Sequence, residues 1–466
     1  MTDQATNDAD AAMLDTSASE PGQDAAPADI LAAIDPSVAA AAPTFISPGD
    51  GGIVRVSTDA DGNQANGPSF NPALSRNGRF VAFESAATDL VPDEGKVSLG
   101  IFVKDLRTGQ VQFASAGIVP GEGAGPASYF PSLSANGRFV AFDSQPVPGV
   151  GSPEHNFYVY VEDLRTGQLT LASADADGTP GNHTSEGAPS LSASGRFVAF
   201  SSSATNLVPG GSRTNEVFVK DLRTGQVQLA STDAAGNEGN GVSLSPSISA
   251  NGRFVAFDSG ASNLAPGADG GVFVKDLRSG QVTLASADAA GQPSQGYNFS
   301  PSISGDGRFV AFASYASDLV PGDADSNPVT LHNNRTDGVF LKDLRSGQVT
   351  LLSAAADGTP GDDNSSVPAI SPNGRFVAFE SRASNLVPGQ APGDAGVFLK
   401  DLWTGELREL AVLPPFTVDQ SPHGTFTYTE GVTSPAVTNK GVVAFSSSVD
   451  LVPSDPSKET GIYLAS

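Results

Sequence analysis

Cysteine is absent from the 466 residues, which excludes disulfides, thiolate nucleophiles and cysteine-based zinc sites. Bases are scarce: 25 Lys and Arg stand against 51 Asp and Glu, for a formal net charge of −26. Such a surface repels phosphate, so no nucleic-acid partner is expected; metal cations and basic partners suit it. No apolar run approaches the ~18 residues of a spanning helix, so no membrane insertion is expected. The first basic residue is Arg55, and the N-terminal stretch lacks both the positive and the apolar regions of a Sec or Tat signal. A periplasmic or extracellular location reached by a non-classical route is favoured over the cytoplasm. Histidine is nearly absent as well. His155, His183, His332 and His423 stand singly, and no His-Glu-x-x-His, Gly-x-Ser-x-Gly or Walker pattern occurs, so no catalytic residue is assigned.

What is present is turn chemistry. Fifty-two glycines and 34 prolines fit short strands joined by many turns, not helices. Residues 1–52 differ from the rest: nine acids, no base, and mostly Ala, Ser, Thr, Pro and Gly between them. Self-repulsion and little apolar surface predict a disordered acidic tail, with Ile30, Leu31 and Ile34 available for one short docking turn.

From residue 53 to 466 one unit recurs seven times. Its marker, Gly-Arg-Phe-Val-Ala-Phe, begins at Gly78, Gly137, Gly195, Gly252, Gly307 and Gly374, with a degenerate copy at Gly441; the spacings run from 55 to 67 residues. Each unit reads as four strands. They are exemplified by Ser-Pro-Ser-Ile-Ser (245–249), Arg-Phe-Val-Ala-Phe, Val-Phe-Val-Lys-Asp-Leu (217–222) and Val-Gln-Leu-Ala-Ser (227–231). Ala-Asn-Gly before the second strand and Arg-Thr-Gly-Gln before the fourth supply the turns. In the second strand Phe80 and Ala82 fall on one face, Val81 and Phe83 on the other, so both faces need cover. Sheets stacked around an axis provide it. The last unit ends in a third strand, Gly-Ile-Tyr-Leu-Ala-Ser (461–466), while the first ordered segment, 53–57, is a fourth strand without a blade. Joined, they close the ring and remove two edges, which an open β-solenoid would leave exposed. The expected fold is all-β: a seven-bladed β-propeller of four-stranded antiparallel blades, closed by strand 53–57 pairing with the C-terminal blade.

The segment Ser-Pro-Asn-Gly-Arg-Phe-Val-Ala-Phe-Glu-Ser (371–381) resembles the repeat of TolB-type, WD40-like propellers, over about 53–466. TolB itself joins a six-bladed propeller to an N-terminal domain and works in the periplasm. Seven units are counted here and the tail is too short for that domain, so the resemblance implies the blade type and, more loosely, a binding module of the cell envelope.

Residues common to all units most simply serve the blade; function belongs where units differ. On a four-strand meander the hairpin turns, rich in Arg and Lys, lie on one face, and the long loops, rich in Asp and Glu, on the other. That acidic face can steer cations or a basic partner, or serve solubility alone. Alternating oxygens in Asp323-Ala-Asp325-Ser-Asn327, with Asp318 and Asp337 nearby, suit calcium; Asp59-Ala-Asp61 and Asp175-Ala-Asp177 are shorter versions. Two or three carboxylates in a Gly-rich loop also occur without a metal. Phe70, Tyr129, Phe130, Tyr297 and Phe299 precede or open the first strands, where they can meet a ligand or fill the gap between blades; His332 is the histidine closest to the acids. Trp403 replaces the Arg of a hairpin turn and can mark a contact or simply a drifted turn. The leading reading is a non-catalytic binding or scaffold propeller, with a protein or carbohydrate ligand on the acidic face and calcium as the one candidate cofactor. A metal-dependent carbohydrate lyase or hydrolase, and a structural cell-surface component, are the alternatives.

Overall fold

A strand that is apolar on both faces is stable only between two other layers. In the computed structural model that need is met seven times. The structure describes residues 52–92, 99–116, 127–145, 156–185, 187–212, 214–321, 337–390, 395–413, 416–419, 425–428, 435–449, 451–452 and 459–466. The tail, with Ile30, Leu31 and Ile34, lies outside them.

Seven four-stranded antiparallel sheets form the blades of a propeller. Blade 4 is representative, running outward from the axis as Ser243–Ile248, Phe254–Ser259, Gly271–Asp276 and Val282–Leu284. Blades 1, 2, 3, 5 and 6 repeat this order, with innermost strands beginning at Ser69, Ser128, Ser190, Asn298 and Ser365. A separate hairpin, Phe416–Asp419 with Thr425–Tyr428, follows blade 6. Blade 7 combines Ala436–Val437, Val443–Ser447 and Gly461–Ala465 with Ile53–Arg55. Ile53 pairs with Ala465 and Arg55 with Tyr463. The Ile462 amide donates to Ser57 Oγ at 3.0 Å, and its carbonyl accepts from the Val56 amide at 2.8 Å. The two ends of the propeller thus close its ring, as expected.

The core lies between blades rather than within one. Each of seven apolar clusters draws side chains from two neighbouring blades: Ala199, Val217 and Val219 of blade 3 pack on Val255, Phe257 and Phe273 of blade 4. The remaining clusters join the other six neighbouring pairs, including blade 7 with blade 1. Burying each such Phe or Val contributes roughly 1.5–3 kcal/mol.

The repeated Gly-Arg-Phe has a mechanical reason. Gly252 of blade 4 sits at φ +73°, against the ring of Phe197 in blade 3. Above the same ring lies the Arg196 guanidinium, 4.7 Å from its centroid. That guanidinium is fixed by a fork to Asp221, Nε to Oδ1 at 2.9 Å and Nη2 to Oδ2 at 2.6 Å. Equivalent Arg–Asp forks hold blades 1, 2, 4, 5 and 6. Near the axis, the first-to-second turns are chained blade to blade by backbone bonds. The amides of Ala135, Ala193, Ala250 and Gly305 donate to the carbonyls of Ala193, Ala250, Gly305 and Pro372 in turn.

Candidate functional site

At the long-loop end the innermost strands of blades 1, 2, 4, 5 and 6 break their ladders. Register shifts fall between Phe70 and Ala73, Tyr129 and Ser132, Leu244 and Ser247, Phe299 and Ser302, and Ser366 and Ala369. Inside each bulge one residue takes a left-handed conformation: Asn71, Phe130, Ser245, Ser300 and Val367, at φ 47–52°. Each precedes a proline, which has no amide to leave unpaired where the ladder stops. Holding non-glycine residues there costs roughly 1–3 kcal/mol apiece.

Acids of the second strands support this strain. Glu84, Asp143, Asp258 and Glu380 stand opposite Phe70, Tyr129, Leu244 and Ser366. Glu84 Oε1 accepts from the amide of strained Phe130 in the next blade at 2.6 Å, and from Asn71 Nδ2 at 2.7 Å. Asp143 Oδ2 accepts from the Gly187 amide of blade 3 at 3.2 Å. Burial pushes the Glu84 and Asp258 carboxyls up, and takes Glu380 to about 7 against the opposing charge of Arg382. The mouth is therefore lined by acids whose charge is costly without a partner.

Around these acids the predicted aromatics gather into two groups. Tyr129 meets Phe130 and Phe157, with centroids 6.2 and 5.8 Å apart. Burial, then the charges of Glu84 and Asp143, raise the Tyr129 hydroxyl. Tyr297 stacks on Phe299 at 5.5 Å, and Phe299 lies 5.6 Å from Tyr315. Phe70 stands half-buried in blade 1, apart from both groups. Tyr297 is 65 % exposed, and Val242 and Leu244, at the entry to the innermost strand of blade 4, are 47 % and 36 % exposed. Burial, then the charge of Asp258, raise the Tyr297 hydroxyl, so tyrosine and acid share one spot between blades 4 and 5.

The acidic tight turns lie elsewhere. After Ser57 the chain doubles back, with Thr58 bridged to Gln64, and docks on the third strand of blade 1. There Lys104 Nζ donates to the carbonyls of Thr58 at 2.7 Å and Asp59 at 3.0 Å. Burial, opposed in part by the charge of Asp59, pulls the Lys104 ammonium down to about 8. Lys220, Lys275 and Lys342 clasp the corresponding hairpins of the preceding blades. These hairpins abut the third-to-fourth turn, the Ala60 carbonyl lying against Gly109, rather than spreading across the mouth. The Asp59 carboxylate is used by its own turn: Oδ1 accepts from the amides of Asp61 and Asn63 at 2.9 and 2.8 Å, and Oδ2 from Asn63 Nδ2 at 2.8 Å. Asp175 Oδ1 likewise accepts from Asp177 and Thr179. Asp61 and Asp177 are exposed on these turns. Asp318 accepts the Gln295 amide, a bond that Asp89, Asn206, Asn263 and Asn385 repeat in other blades.

The predicted metal residues are thus not brought together where they are described. Asp323, Asp325, Asn327 and His332 lie outside the described residues. Among those described, no three His, Asp or Glu side chains converge as a metal cluster. Asp337 sits at the start of the third strand of blade 5, nearly buried, with Tyr315 hydrogen-bonded to it. Trp403 is 73 % exposed and covers the Arg375 guanidinium at 4.7 Å, extending that fork outward. The lysine clasps and the mouth acids were missed. Their signals were a lysine repeated in almost every third strand, and the variable residue before the last serine of each second strand.

Seven blades around an axis, with a mouth built of strained bulges, acids and aromatics, define a β-propeller. Two solved lyase structures agree on the fold. An oligogalacturonate lyase in complex with manganese matches at TM-score 0.52 and 13 % identity, over 91 % of this chain and 94 % of that one. An oligogalacturonate lyase from Vibrio parahaemolyticus matches at TM-score 0.51 and 12 % identity, over 89 % and 93 %. TolB from Acinetobacter baumannii matches at TM-score 0.38 and 18 % identity, over 73 % and 65 %. At these identities the likeness is one of fold alone. No protein-family model and no curated protein matches the sequence.

Proposed function

We propose that this chain is a non-catalytic binding propeller of TolB-like kind, which takes an apolar and basic protein segment at its long-loop mouth. The reading rests on the patch formed by Val242, Leu244 and Tyr297. Of the five large apolar side chains exposed among the described residues, these three stand at the entries to the innermost strands of two neighbouring blades, 4 and 5. Asp258 is paired with Leu244 in register and acts on Tyr297 through its charge. Burying the patch supplies affinity, while the acids and the overall −26 charge steer a basic partner. A sugar could stack on Tyr297 but would leave Val242 and Leu244 uncovered, which favours protein over carbohydrate. A periplasmic or extracellular site of action accompanies this reading.

The test is an array of lysine- and arginine-rich peptides with interspersed Leu and Phe, run beside a glycan array at low and high salt. Wild type should bind a subset of the peptides, more weakly at high salt, and the Leu244→Ser/Tyr297→Ala pair should weaken binding at least about tenfold. Binding to glycans alone, or peptide binding that survives both substitutions, would overturn the reading.

A further inference from the structure

One slot recurs in every blade, at the third-strand residue that pairs with the last serine of the second strand. The occupants of that position are Gly100, Tyr158, Glu216, Gly271, Gly338, Gly396 and Gly461. Side chains of the blade itself fill or close the slot. Tyr158 fills its own, with its hydroxyl donating to the Gly181 carbonyl at 3.3 Å. Glu216 fills blade 3, fully buried and held by the hydroxyls of Thr214, Ser231 and Ser243. Over the glycines, the fourth strand supplies the filler: Phe113 in blade 1, Leu284 with Ser286 in blade 4, Glu409 in blade 6 and Arg55 in blade 7.

In blade 5 Leu351 approaches Gly338 in the same way, yet a cavity of about 30 Å³ remains beside it, lined also by Asp337, Asp363, Ser314, Ser353 and Gly361. Asp337 is 8 % exposed, and among the described residues its Oδ1 has no hydrogen-bond partner. Asp363 is close enough for its charge to act on Asp337. A buried carboxylate oxygen left unpaired is costly, and a neighbouring like charge adds to the cost. The hydroxyls of Ser314 and Ser353 and the Gly361 backbone supply neutral oxygen around the same space. The equivalent slot of blade 3 is filled by a single carboxylate among hydroxyls; that of blade 5 has two acids on its wall and a space the size of one ion.

We propose that the blade 5 cavity is a binding site for a single calcium ion, held by Asp337 and Asp363 with hydroxyl, carbonyl and water oxygens completing its shell. Calcium suits the site better than magnesium because it accepts irregular sets of six to eight hard oxygens, whereas magnesium demands a near-ideal octahedron. This site is distinct from the tight turns of Asp59 and Asp175.

The experiment uses the full-length chain stripped with EDTA, titrated with calcium chloride and separately with magnesium chloride, and followed by calorimetry and thermal unfolding. Wild type should bind one calcium through this site and melt higher in millimolar calcium, with a smaller response to magnesium. Asp337→Asn keeps the shape and the Tyr315 hydrogen bond, so in EDTA it should melt no lower than wild type. Asp337→Asn and Asp363→Asn should each raise the calcium concentration for half-saturation at least about tenfold, whereas Asp61→Asn should leave it unchanged. Absence of a calcium-specific rise in wild type would overturn the proposal. So would a rise that both Asp337→Asn and Asp363→Asn retain, since calcium would then bind elsewhere.

Discussion

The joint between blades can be tested at a single atom. Gly252 and Gly236 are both left-handed, at φ +73° and +88°. A β-carbon on Gly236 would meet nothing within 4 Å, whereas on Gly252 it would lie 2.2 Å from Cδ2 of Phe197. Alanine at either position costs about 1–2 kcal/mol for the left-handed backbone. At Gly252 the overlap adds about 1–3 kcal/mol, because a packed ring yields only by leaving its rotamer or shifting the backbone. Phe197 has little room to yield: Arg196 lies over it and is locked to Asp221. Gly252→Ala should therefore lose about 2–5 kcal/mol and Gly236→Ala about 1–2 kcal/mol. Urea unfolding followed by circular dichroism measures both, provided the slopes agree with wild type. Adding Phe197→Leu to Gly252→Ala should recover part of the loss, giving a favourable coupling of about 1 kcal/mol or more. Equal losses for the two alanine variants, within about 0.5 kcal/mol, would refute the idea that ring contact, rather than backbone freedom, demands glycine in the repeat.

Two further predictions concern charge. Glu162 occupies the third-strand position held by Lys104, Lys220, Lys275, Lys342 and Lys400 in other blades; burial, with the Asp163 charge adding, raises its carboxyl to about 7. A raised acid binds more protons folded than unfolded, so stability should fall as pH rises from about 4.5 to 7 and stay level above. Glu162→Gln should melt higher than wild type at pH 8, and its decline between pH 5 and 8 should be shallower; an unchanged decline would exclude Glu162 as a source. Asp163 behaves oppositely, since the fork from Arg138 holds it at about 2. Its contribution is present above the unfolded value near 4 and is lost as pH falls toward 2. Arg138→Lys breaks the fork and should lower the urea midpoint slightly at pH 7, in view of solvent screening, and hardly at all at pH 2. A difference in urea midpoint that persists at pH 2 would assign the loss to packing on Phe139 instead.

Much of the architecture was legible because it is periodic. Both faces of Arg-Phe-Val-Ala-Phe are apolar, so each blade needs a neighbour on either side, and seven copies predict seven blades. An orphan third strand at 461–466 and an orphan fourth strand at 53–57 predict each other, and Ile53–Arg55 does pair with Gly461–Ala465. Tyr129, Phe130, Tyr297 and Phe299 were placed near the inner mouth by their position before a strand, a local property that strand order converts directly into radius.

The paths of the loops were not legible. Asp59-Ala-Asp61-Gly-Asn63 has the oxygens of a cation loop, yet the Asp59 carboxylate closes its own turn and Lys104 of the next blade draws the hairpin away from the mouth. That outcome depends on a lysine over 40 residues away and on burial that makes its ammonium seek carbonyl oxygens. The unpaired oxygen of Asp337 is likewise invisible in a string of residues, since it depends on which groups surround it in the packed blade and on Asp363, which comes from a different connection. The sequence alone determined the repeat, the number of blades and the way the ring closes, because these follow from which faces of a strand must be covered. Only the tertiary structure decided which acids are spent on turns and which face a space, because desolvation and hydrogen-bond partners exist only once the blades have packed.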